Sequence, residues 1–306
     1  MVVIGLVMMV SCASPAPLAR TPFASGGPTA VAPSATASPL PSLTATLEPS
    51  STPTWTGTEI LEATLTSLPD YTLDARDVSM AYVPAGPFLM GSDRGSMDEQ
   101  PVHPVHLDAF YIDAFEVTNR HYKACVEAAF CQPVKRKNSA TRTNYYDNRR
   151  YRNFPVLHVD WNMAKAYCEW RDARLPTEAE WEKAARGGMN VFYPWGNVQD
   201  CNLANYGSCL GDTSSATIYA LGASRYGVYN MAGNVSEWVN DWYSDDYYLS
   251  SPREDPRGPE TGTEKVVRGG SWKDNYADIR SVNRESERPT HVSNTTGFRC
   301  AKDTDS

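Results

Sequence analysis

The sequence lacks an excess of positive charge. Its 28 Lys and Arg residues are outnumbered by 36 Asp and Glu residues, which gives a formal net charge of -8 and an isoelectric point near 5.2. Proteins that bind nucleic acids need a basic surface to neutralise phosphates. We therefore expect no nucleic-acid partner.

The amino terminus lacks an apolar run long enough for a membrane-spanning helix. Residues 1–10 are apolar except for Gly5, far short of the roughly 20 residues that spanning requires. The following Ser11-Cys12 resembles the end of a bacterial lipoprotein signal, in which Cys12 would receive the lipid. Residues 1–12 would then anchor the protein without spanning the membrane. No Lys or Arg precedes Arg20, so the basic start that is typical of such signals is missing. An ordinary cleaved secretory signal is the alternative.

Residues 13–58 lack almost all charge, and Phe23 and Trp55 are their only aromatic residues. Such a Ser-, Thr-, Pro- and Ala-rich segment cannot bury enough apolar surface to offset the entropy of ordering. We predict a disordered stalk over residues 13–76, whose last part, from residue 59, is transitional. The folded domain is predicted over residues 77–303, outside the cytoplasm and lipid-anchored to a bacterial membrane or cell surface.

The sequence has no Cys-x-x-Cys pair and no His-rich spacing, which excludes the usual zinc sites. His103 and His106 lie three apart in a predicted strand, so they face opposite sides, and we interpret both as structural. If Cys12 is lipidated, six of the seven cysteines remain, an even number typical of disulfides in an oxidising compartment.

The spacing of these six cysteines indicates how they can pair. Two pairs are close enough in sequence to close locally: Cys125 with Cys131, and Cys201 with Cys209. That leaves Cys168 to pair with Cys300, a long closure that should stabilise the domain by roughly 4 kcal/mol in the loop-entropy model.

Three helices are predicted from capping residues that precede an apolar stripe. Thr118 caps residues 119–129 and Asp160 caps residues 161–172. Thr177 and Glu180 form a capping box for a third helix that Gly187 and Gly188 end.

Strands are predicted from alternation and from glycine-rich blocks. Residues 81–91 are predicted as one strand, interrupted by prolines. Val105, Leu107, Ala109 and Tyr111 alternate with the residues between them and are predicted to share one face. Later strands are predicted over residues 265–272, 279–284 and 297–301. Residues 135–152 are predicted as a solvated loop or part of a binding rim. The fold class is therefore α+β.

The stretch 227–243, GVYNMAGNVSEWVNDWY, combines turn-forming residues with Trp238 and Trp242. The side-chain oxygens of Asn230 and Glu237 and the main-chain carbonyls of Gly233 and Val235 provide the hard oxygen ligands that calcium prefers. The alternative is a glycine turn whose Asn and Glu side chains are solvated.

Five blocks in order resemble the formylglycine-generating enzyme, or sulfatase-modifying factor, family. They are residues 175–188 (LPTEAEWEKAARGG), 193–197 (YPWGN), 227–243, 267–272 (VRGGSW) and 297–300 (GFRC). The resemblance spans residues 78–302. It implies a variant of the C-type lectin fold with little regular secondary structure.

The resemblance also implies site residues. Asn230, Gly233, Val235 and Glu237 match one structural calcium site of the family. A second is matched by Asn205, Tyr206, Asp212 and Ser214, with main-chain carbonyls from Tyr206 and Ser214. The family disulfide between the middle helix and the last strand falls on Cys168 and Cys300.

The family's chemistry does not carry over. Its enzymes oxidise a sulfatase cysteine to formylglycine through a cysteine pair after the Gly-Gly-Ser-aromatic block, and this pair binds copper(I), which needs soft thiolates. Here no thiol lies between Trp272 and Cys300, so we expect neither copper nor the oxidase activity. Ser271 matches an active-site position of the family, and we interpret it as structural.

The resulting hypothesis is a non-catalytic, calcium-stabilised surface module that binds an extracellular protein or small ligand whose identity is unknown. Polar and aromatic residues suit adaptable recognition, and the predicted ligand-binding residues are Asp274, Asn275, Tyr276, Asp278, Asn283, Arg284 and His291. The alternative is that these are solvated loop residues. Two other functions stay open: an enzyme on the same scaffold, and a variable receptor of a diversity-generating retroelement.

Overall fold

The computed structural model describes residues 69–207 and 209–304. The predicted signal, the lipidation site Cys12 and the stalk up to residue 68 lie outside the described residues. The first strand, Tyr71–Leu73, pairs with Ser79–Val83, so regular structure begins six residues before the predicted boundary at Asp77. Within the described part of the chain, no helix is long and apolar enough to cross a membrane.

In the described residues, ten short strands form three sheets. The strands are β1 Tyr71–Leu73, β2 Ser79–Val83, β3 Gly86–Met90, β4 His103–Leu107, β5 Phe110–Asp113, β6 Ser236–Trp242, β7 Lys265–Arg268, β8 Arg284–Glu287, β9 Thr296–Phe298 and β10 Ala301–Asp303. Two sheets have four strands, in the orders β1-β2-β5-β10 and β8-β7-β6-β9, and β3 pairs with β4. The β6–β9 pair is parallel. The α+β class and the low content of regular structure are confirmed.

Residues 81–91 form two strands of different sheets, so the prediction of one strand was wrong. The chain leaves the first sheet after Val83 and enters the second at Gly86, whose φ of +134° favours glycine. Lys183 holds this corner, because its Nζ donates to the carbonyls of Pro84 and Gly86, both at 2.8 Å.

The predicted alternation fails halfway along residues 105–112. Val105 and Leu107 are buried, but the next buried residues are Phe110 and Ile112 rather than Ala109 and Tyr111. The chain turns between β4 and β5 and passes to another sheet. Within each strand, more buried and less buried residues still alternate. The turn between the strands shifts the buried positions by one residue.

The three helices are confirmed: α1 Asn119–Glu127, α2 Trp161–Trp170 and α3 Glu178–Arg186. Thr118 and Asp160 cap the first two, and the predicted capping box of α3 is present. The first two helices end two residues early, where Ala129 and Asp172 adopt positive φ. Gly187 ends α3 in the left-handed conformation at φ 61°.

Residues 279–283 do not form the predicted strand, and β8 begins only at Arg284. The carbonyls of Ser281, Val282 and Asn283 instead accept hydrogen bonds from the buried guanidinium of Arg268, at 2.7 to 3.1 Å. Since a side chain uses these acceptors, they are not available for a neighbouring strand.

All three predicted disulfides are present: Cys125–Cys131, Cys168–Cys300 and Cys201–Cys209. The Cys168–Cys300 bridge lies in a core cluster around Trp238, and Trp181 belongs to a second cluster. The loop of residues 135–152 is not simply solvated, because Tyr145 is 1% exposed and donates to the carbonyl of Pro155.

Candidate functional site

The turn before β6 surrounds a buried carboxylate that the sequence did not indicate. Asn230 and Asn234 both adopt positive φ, at 55° and 64°. Their Nδ2 atoms each donate to one oxygen of Glu116, both at 2.7 Å. Burial raises the pKa of Glu116 to about 7, with Arg299 opposing the rise and Glu237 adding to it. Residues 230–237 therefore form a buried polar centre.

Glu237 is 0% exposed, and its carboxylate already has protein partners. Its Oε2 accepts from Trp181 Nε1 at 2.8 Å and from Arg299 Nε at 2.7 Å. Its Oε1 accepts from Arg299 Nη2, also at 2.7 Å. The carboxylate therefore pairs with a guanidinium, which the sequence did not indicate.

Asp212, in the second predicted calcium set, is likewise surrounded by donors. Its Oδ2 accepts from Ser139 Oγ at 2.6 Å and from the amide and hydroxyl of Thr141 at 2.9 and 2.7 Å. Its Oδ1 accepts from Thr213 N at 2.7 Å. Burial opposes ionisation, yet these hydrogen bonds hold the pKa of Asp212 below its usual value. Asp212 thus binds the 135–152 loop to the domain.

The structure brings the two predicted calcium sets together through Asn234. Its Oδ1 accepts from Ser214 N at 2.8 Å and more weakly from Asn205 Nδ2 at 3.4 Å. Asn205 Nδ2 also donates to the carbonyl of Asp212 at 2.9 Å. Neither Asn234 nor Glu116 was predicted. Asn234 lies inside the Asn-Met-Ala-Gly-Asn run, whereas nothing in the sequence marked Glu116.

These residues fit a calcium ion in part. The Oδ1 atoms of Asn205 and Asn230 are buried and have no hydrogen-bond partner, as expected for oxygens that need a cation. The carboxylates of Glu237 and Asp212 have fewer free lone pairs, because each already accepts several hydrogen bonds.

The loop after Ser271 is the predicted ligand-binding face, and the domain fixes its backbone. The amide and hydroxyl of Ser271 donate to Asp274 Oδ2 at 2.8 and 2.6 Å. The carbonyl of Asp274 accepts from Gly207 N at 2.7 Å, and that of Tyr276 accepts from Tyr193 Oη at 2.8 Å. The hydroxyl of Ser271 thus stabilises the loop.

The loop presents polar and aromatic side chains to solvent. Tyr276 is 52% exposed, Asn275 is exposed, and Asn275 Nδ2 donates to Asp278 Oδ2 at 2.5 Å. Below it, Tyr193 stacks on Trp195 with ring centroids 5.3 Å apart. We call Asp274, Asn275, Tyr276 and Asp278 the recognition loop.

Not all of the predicted ligand-binding residues join this loop. Arg284 is only 6% exposed, so the structure does not place it on the exposed part of this loop. Its guanidinium donates to both oxygens of Glu178 at 2.8 and 3.0 Å. His291 is half-buried beside Glu287, with Nδ1 3.7 Å from the carboxylate, and it lines a separate open cavity.

Glu285 belongs to the predicted ligand-binding face, and the sequence prediction did not include this residue. It is half-buried, and burial followed by the charges of Asp274, Asp278 and Glu287 raises its pKa to about 7. Asn283 Nδ2 lies 3.4 Å from Glu285 Oε1. Alternation along β8 would have found Glu285, because it faces the opposite side from the buried Arg284.

No free cysteine lies at this surface among the residues that the structure describes. Within residues 69–207 and 209–304, all six cysteines form disulfides. Asp274 lies two residues after Trp272, and no cysteine occurs between Trp272 and Cys300.

Comparisons with known proteins agree with this fold. A family model described as a sulfatase-modifying factor enzyme 1-like domain matches residues 70–304. The chain is 36% identical over 278 residues to the formylglycine-generating enzyme of Streptomyces coelicolor, a match that covers 73% of this chain and 88% of that protein. It is 39% identical over 236 residues to the serine/threonine-protein kinase pkn1 of Chlamydia caviae, covering 73% of this chain and only 38% of that kinase.

Solved structures show the same architecture. The structure of PvdO from Pseudomonas aeruginosa matches with a TM-score of 0.66 and 27% identity, covering 78% of this chain and all of that one. Treponema denticola variable protein 1 matches with a TM-score of 0.62 and 24% identity, over 78% of this chain and all of that one. The second likeness concerns the fold alone.

Proposed function

The chain belongs to the sulfatase-modifying factor enzyme 1-like family, and we propose that it is a non-catalytic recognition module of that family. The observation that carries this proposal is the state of its cysteines. The six in the described residues are bound in disulfides, and none lies between Trp272 and Cys300. A carboxylate such as that of Asp274 is a poor ligand for copper(I), which favours thiolates.

The recognition loop is the proposed binding face. Its main chain is fixed by Gly207 and Tyr193, and its Asp274 carboxylate by Ser271. A loop held in one conformation loses little entropy when it binds a ligand, so more of the contact energy contributes to affinity. Exposed Tyr276 supplies contact area of the kind found in binding surfaces.

The charge of the face favours a ligand with a cationic group. Asp274 and Asp278 lie close enough to Glu285 to raise its pKa, after the larger effect of burial. The charges of Asp274 and Asp278 thus act on Glu285, and the exposed Lys273 is adjacent to Asp274 in sequence. A lysine or arginine side chain of an extracellular protein, or a small amine, would relieve their mutual repulsion.

We also propose that the module is displayed outside the cytoplasm, anchored through lipid on Cys12, and stabilised by calcium. Three disulfides support an oxidising compartment. The unpartnered oxygens of Asn230 and Asn205, one from each predicted calcium set, support calcium. The carbonyls of Gly233 and Val235 would be further ligands beside Asn230. Bound calcium would supply positive charge to the buried oxygens and fix the turn before β6.

An activity assay separates this proposal from the oxidase alternative, which the 36% identity to the Streptomyces coelicolor enzyme favours. The purified protein would be incubated with copper(I), oxygen and a sulfatase-derived cysteine peptide, and aldehyde formation measured by mass spectrometry. The Streptomyces coelicolor enzyme is the positive control. We expect no aldehyde, and turnover above background would overturn the non-catalytic function.

A binding assay tests the face itself. An immobilised Lys-rich peptide and a Glu-rich peptide of the same length would be probed with wild-type protein and with the variants Asp278→Asn and Tyr276→Ala. We expect salt-sensitive binding to the Lys-rich peptide, weakened in both variants. Leu249→Ala is the matched control, since Leu249 is 75% exposed and lies outside the recognition loop. Equal binding of all four proteins would contradict the assignment of this face.

A further inference from the structure

Positive charge is concentrated in one part of this acidic chain. Residues 120–152 contain nine Lys and Arg residues but only two acids, Glu127 and Asp147. The rest of the chain contains 19 Lys and Arg residues and 34 Asp and Glu residues. The basic segment comprises most of α1 and the loop of residues 135–152, for which the sequence predicts a solvated loop or part of a binding rim.

Most of these basic side chains reach solvent. Arg120 of α1 is exposed, and its amide donates to the carbonyl of Arg152 in the loop at 2.9 Å. The helix and the loop therefore share one surface. Six exposed residues of the loop form what we call the basic surface: Lys135, Arg136, Lys137, Arg149, Arg150 and Arg152.

Nearby acids do not cancel this positive charge. Asp147 forms ion pairs with Lys137 at 2.8 Å and with Lys123 at 3.5 Å, so two ammonium groups share one carboxylate. The helix contributes one further carboxylate, and Asp77 lines a cavity together with Arg120. With these three carboxylates ionised, the basic surface with Arg120 and Lys123 still has eight cationic side chains and a net positive charge.

Buried contacts hold the backbone that carries the basic surface. The half-buried guanidinium of Arg142 lies 5.0 Å from the ring centroid of Tyr151 and 5.2 Å from that of Phe154. Its Nη2 donates to the carbonyl of Thr213 at 3.1 Å. Because this backbone is already ordered, the exposed charges can contact a partner together with little further loss of entropy.

The basic surface is adjacent to the first hairpin of the described chain. Arg120 lines a cavity of about 210 Å³ together with Phe115 and residues 77–79. Residues 77–79 lead from β1 into β2, the first two strands. In the chain, this hairpin follows the segment that carries the proposed lipid anchor at Cys12.

We propose that the basic surface contacts the anionic headgroups of the membrane to which the protein is anchored, an inference that rests on the proposed lipid anchoring. A cluster of about four to eight Lys and Arg residues beside a membrane anchor is typical of proteins that bind anionic lipids. Ammonium and guanidinium groups both form charge-assisted hydrogen bonds with phosphate oxygens.

Contact with the headgroups has two consequences for the domain. It adds a second, electrostatic attachment to that of the lipid. It also orients the domain, because an anionic membrane attracts the basic surface and repels the carboxylates of the recognition loop. The recognition loop is then directed toward partners outside the membrane.

The test is co-sedimentation with lipid vesicles of the full chain carrying Cys12→Ser, which cannot be lipidated there. Vesicles of phosphatidylcholine alone are compared with vesicles that also contain phosphatidylglycerol, each at low and high sodium chloride. We expect binding to the anionic vesicles only, with its loss at high salt because salt screens charges at the surface. Lipidation of wild-type Cys12 is measured separately by mass spectrometry, so failure of the anchor and failure of the basic surface give different results.

Single substitutions at exposed positions identify the surface. Arg149→Gln and Arg150→Gln should each weaken binding to the anionic vesicles by about fivefold, because each removes one charge near the membrane. Asp147→Asn should strengthen binding, because it removes a carboxylate that neutralises part of the surface. Arg94→Gln removes an exposed arginine outside the basic surface and is the matched control, which should leave binding unchanged.

Two results would overturn the proposal. The first is equal binding, or no binding, to the two kinds of vesicle. The second is binding to anionic vesicles that Arg149→Gln and Arg150→Gln leave as unchanged as Arg94→Gln does. Binding of a free Glu-rich peptide without binding of vesicles would assign the surface to an acidic protein partner instead.

Discussion

Glu237 and Arg299 form a fully buried bidentate ion pair that joins β6 to the segment between β9 and β10. Both residues are 0% exposed, and two hydrogen bonds of 2.7 Å connect the carboxylate to Nε and Nη2. Arg299 also donates to the carbonyls of Asp113 and Tyr229. This ion pair therefore connects β6, in one four-stranded sheet, to the residues just before β10, a strand of the other four-stranded sheet.

Replacing Glu237 with Gln should lower the free energy of unfolding by roughly 3–5 kcal/mol, because it leaves the guanidinium of Arg299 buried without an anionic partner. Urea denaturation of wild type and variant measures this difference. Glu260→Gln, at an exposed position, is the control and should be neutral. A loss below about 1 kcal/mol for Glu237→Gln would show that the ion pair is not important for stability.

Calcium should raise the melting temperature of the wild-type protein relative to chelator, because an ion that binds only the folded state stabilises it by mass action. Asn205→Ala and Asn230→Ala should reduce this shift, since each removes a buried oxygen that has no protein partner. Calorimetric melting in EDTA and in millimolar calcium checks the prediction. Identical melting of the wild type in both conditions would exclude the calcium proposal.

Replacing Asp212 with Asn should release the loop of residues 135–152. The change removes the charged acceptor of Ser139 and Thr141, which should cost on the order of 2–3 kcal/mol. The loop contains several Lys and Arg residues, so limited digestion with trypsin should cut it faster in the variant. Asp147→Asn is the matched control, because Asp147 is exposed and forms ion pairs with Lys123 and Lys137 at the surface. Equal cleavage rates in both variants would contradict the anchoring role of Asp212.

The Cys168–Cys300 bridge should stabilise the domain more than the Cys125–Cys131 bridge. The cysteines are 132 and 6 residues apart in sequence, so the loop-entropy model predicts contributions of roughly 4–5 kcal/mol for the first bridge and about 2 kcal/mol for the second. Paired Cys→Ala substitutions at each bridge, compared by urea denaturation, test the order. Equal or reversed losses would show that chain entropy does not govern these bridges.

The pH dependence of stability should contain a contribution from Glu285, beside one from Glu116, whose pKa is also raised to about 7. Burial, with Asp274 and Asp278, raises the pKa of Glu285 to about 7, so the folded state binds this proton more tightly than the unfolded state. Its contribution is therefore complete below the unfolded value near 4.5 and is lost as the pH rises through about 7.

Glu285→Gln should flatten this decline and make the protein more stable than wild type at pH 8. The gain should be about 1 kcal/mol after allowance for solvent screening. Glu264→Gln, which removes the carboxylate that accepts from Ser286 Oγ, is the control. Parallel pH profiles of wild type and Glu285→Gln would contradict the assigned titration.

Local patterns predicted the elements that depend on neighbouring residues. The capping residues Thr118, Asp160 and Thr177 marked all three helix starts, because a cap acts within one helical turn. The strand prediction for residues 279–284 failed, because the long-range guanidinium of Arg268 takes the carbonyls that a strand would use.

The sequence by itself determined the family, the helix starts, the cysteine pairing and the absence of a thiol between Trp272 and Cys300. Only the tertiary structure decided which polar groups already have partners. Arg284 looked accessible in sequence but pairs with Glu178, which lies 106 residues away, and Glu237 takes its donors from Trp181 and Arg299, 56 and 62 residues away. The physical reason is that hydrogen-bond partners can lie far apart in the sequence, and the water that competes with them is excluded only after the chain has folded.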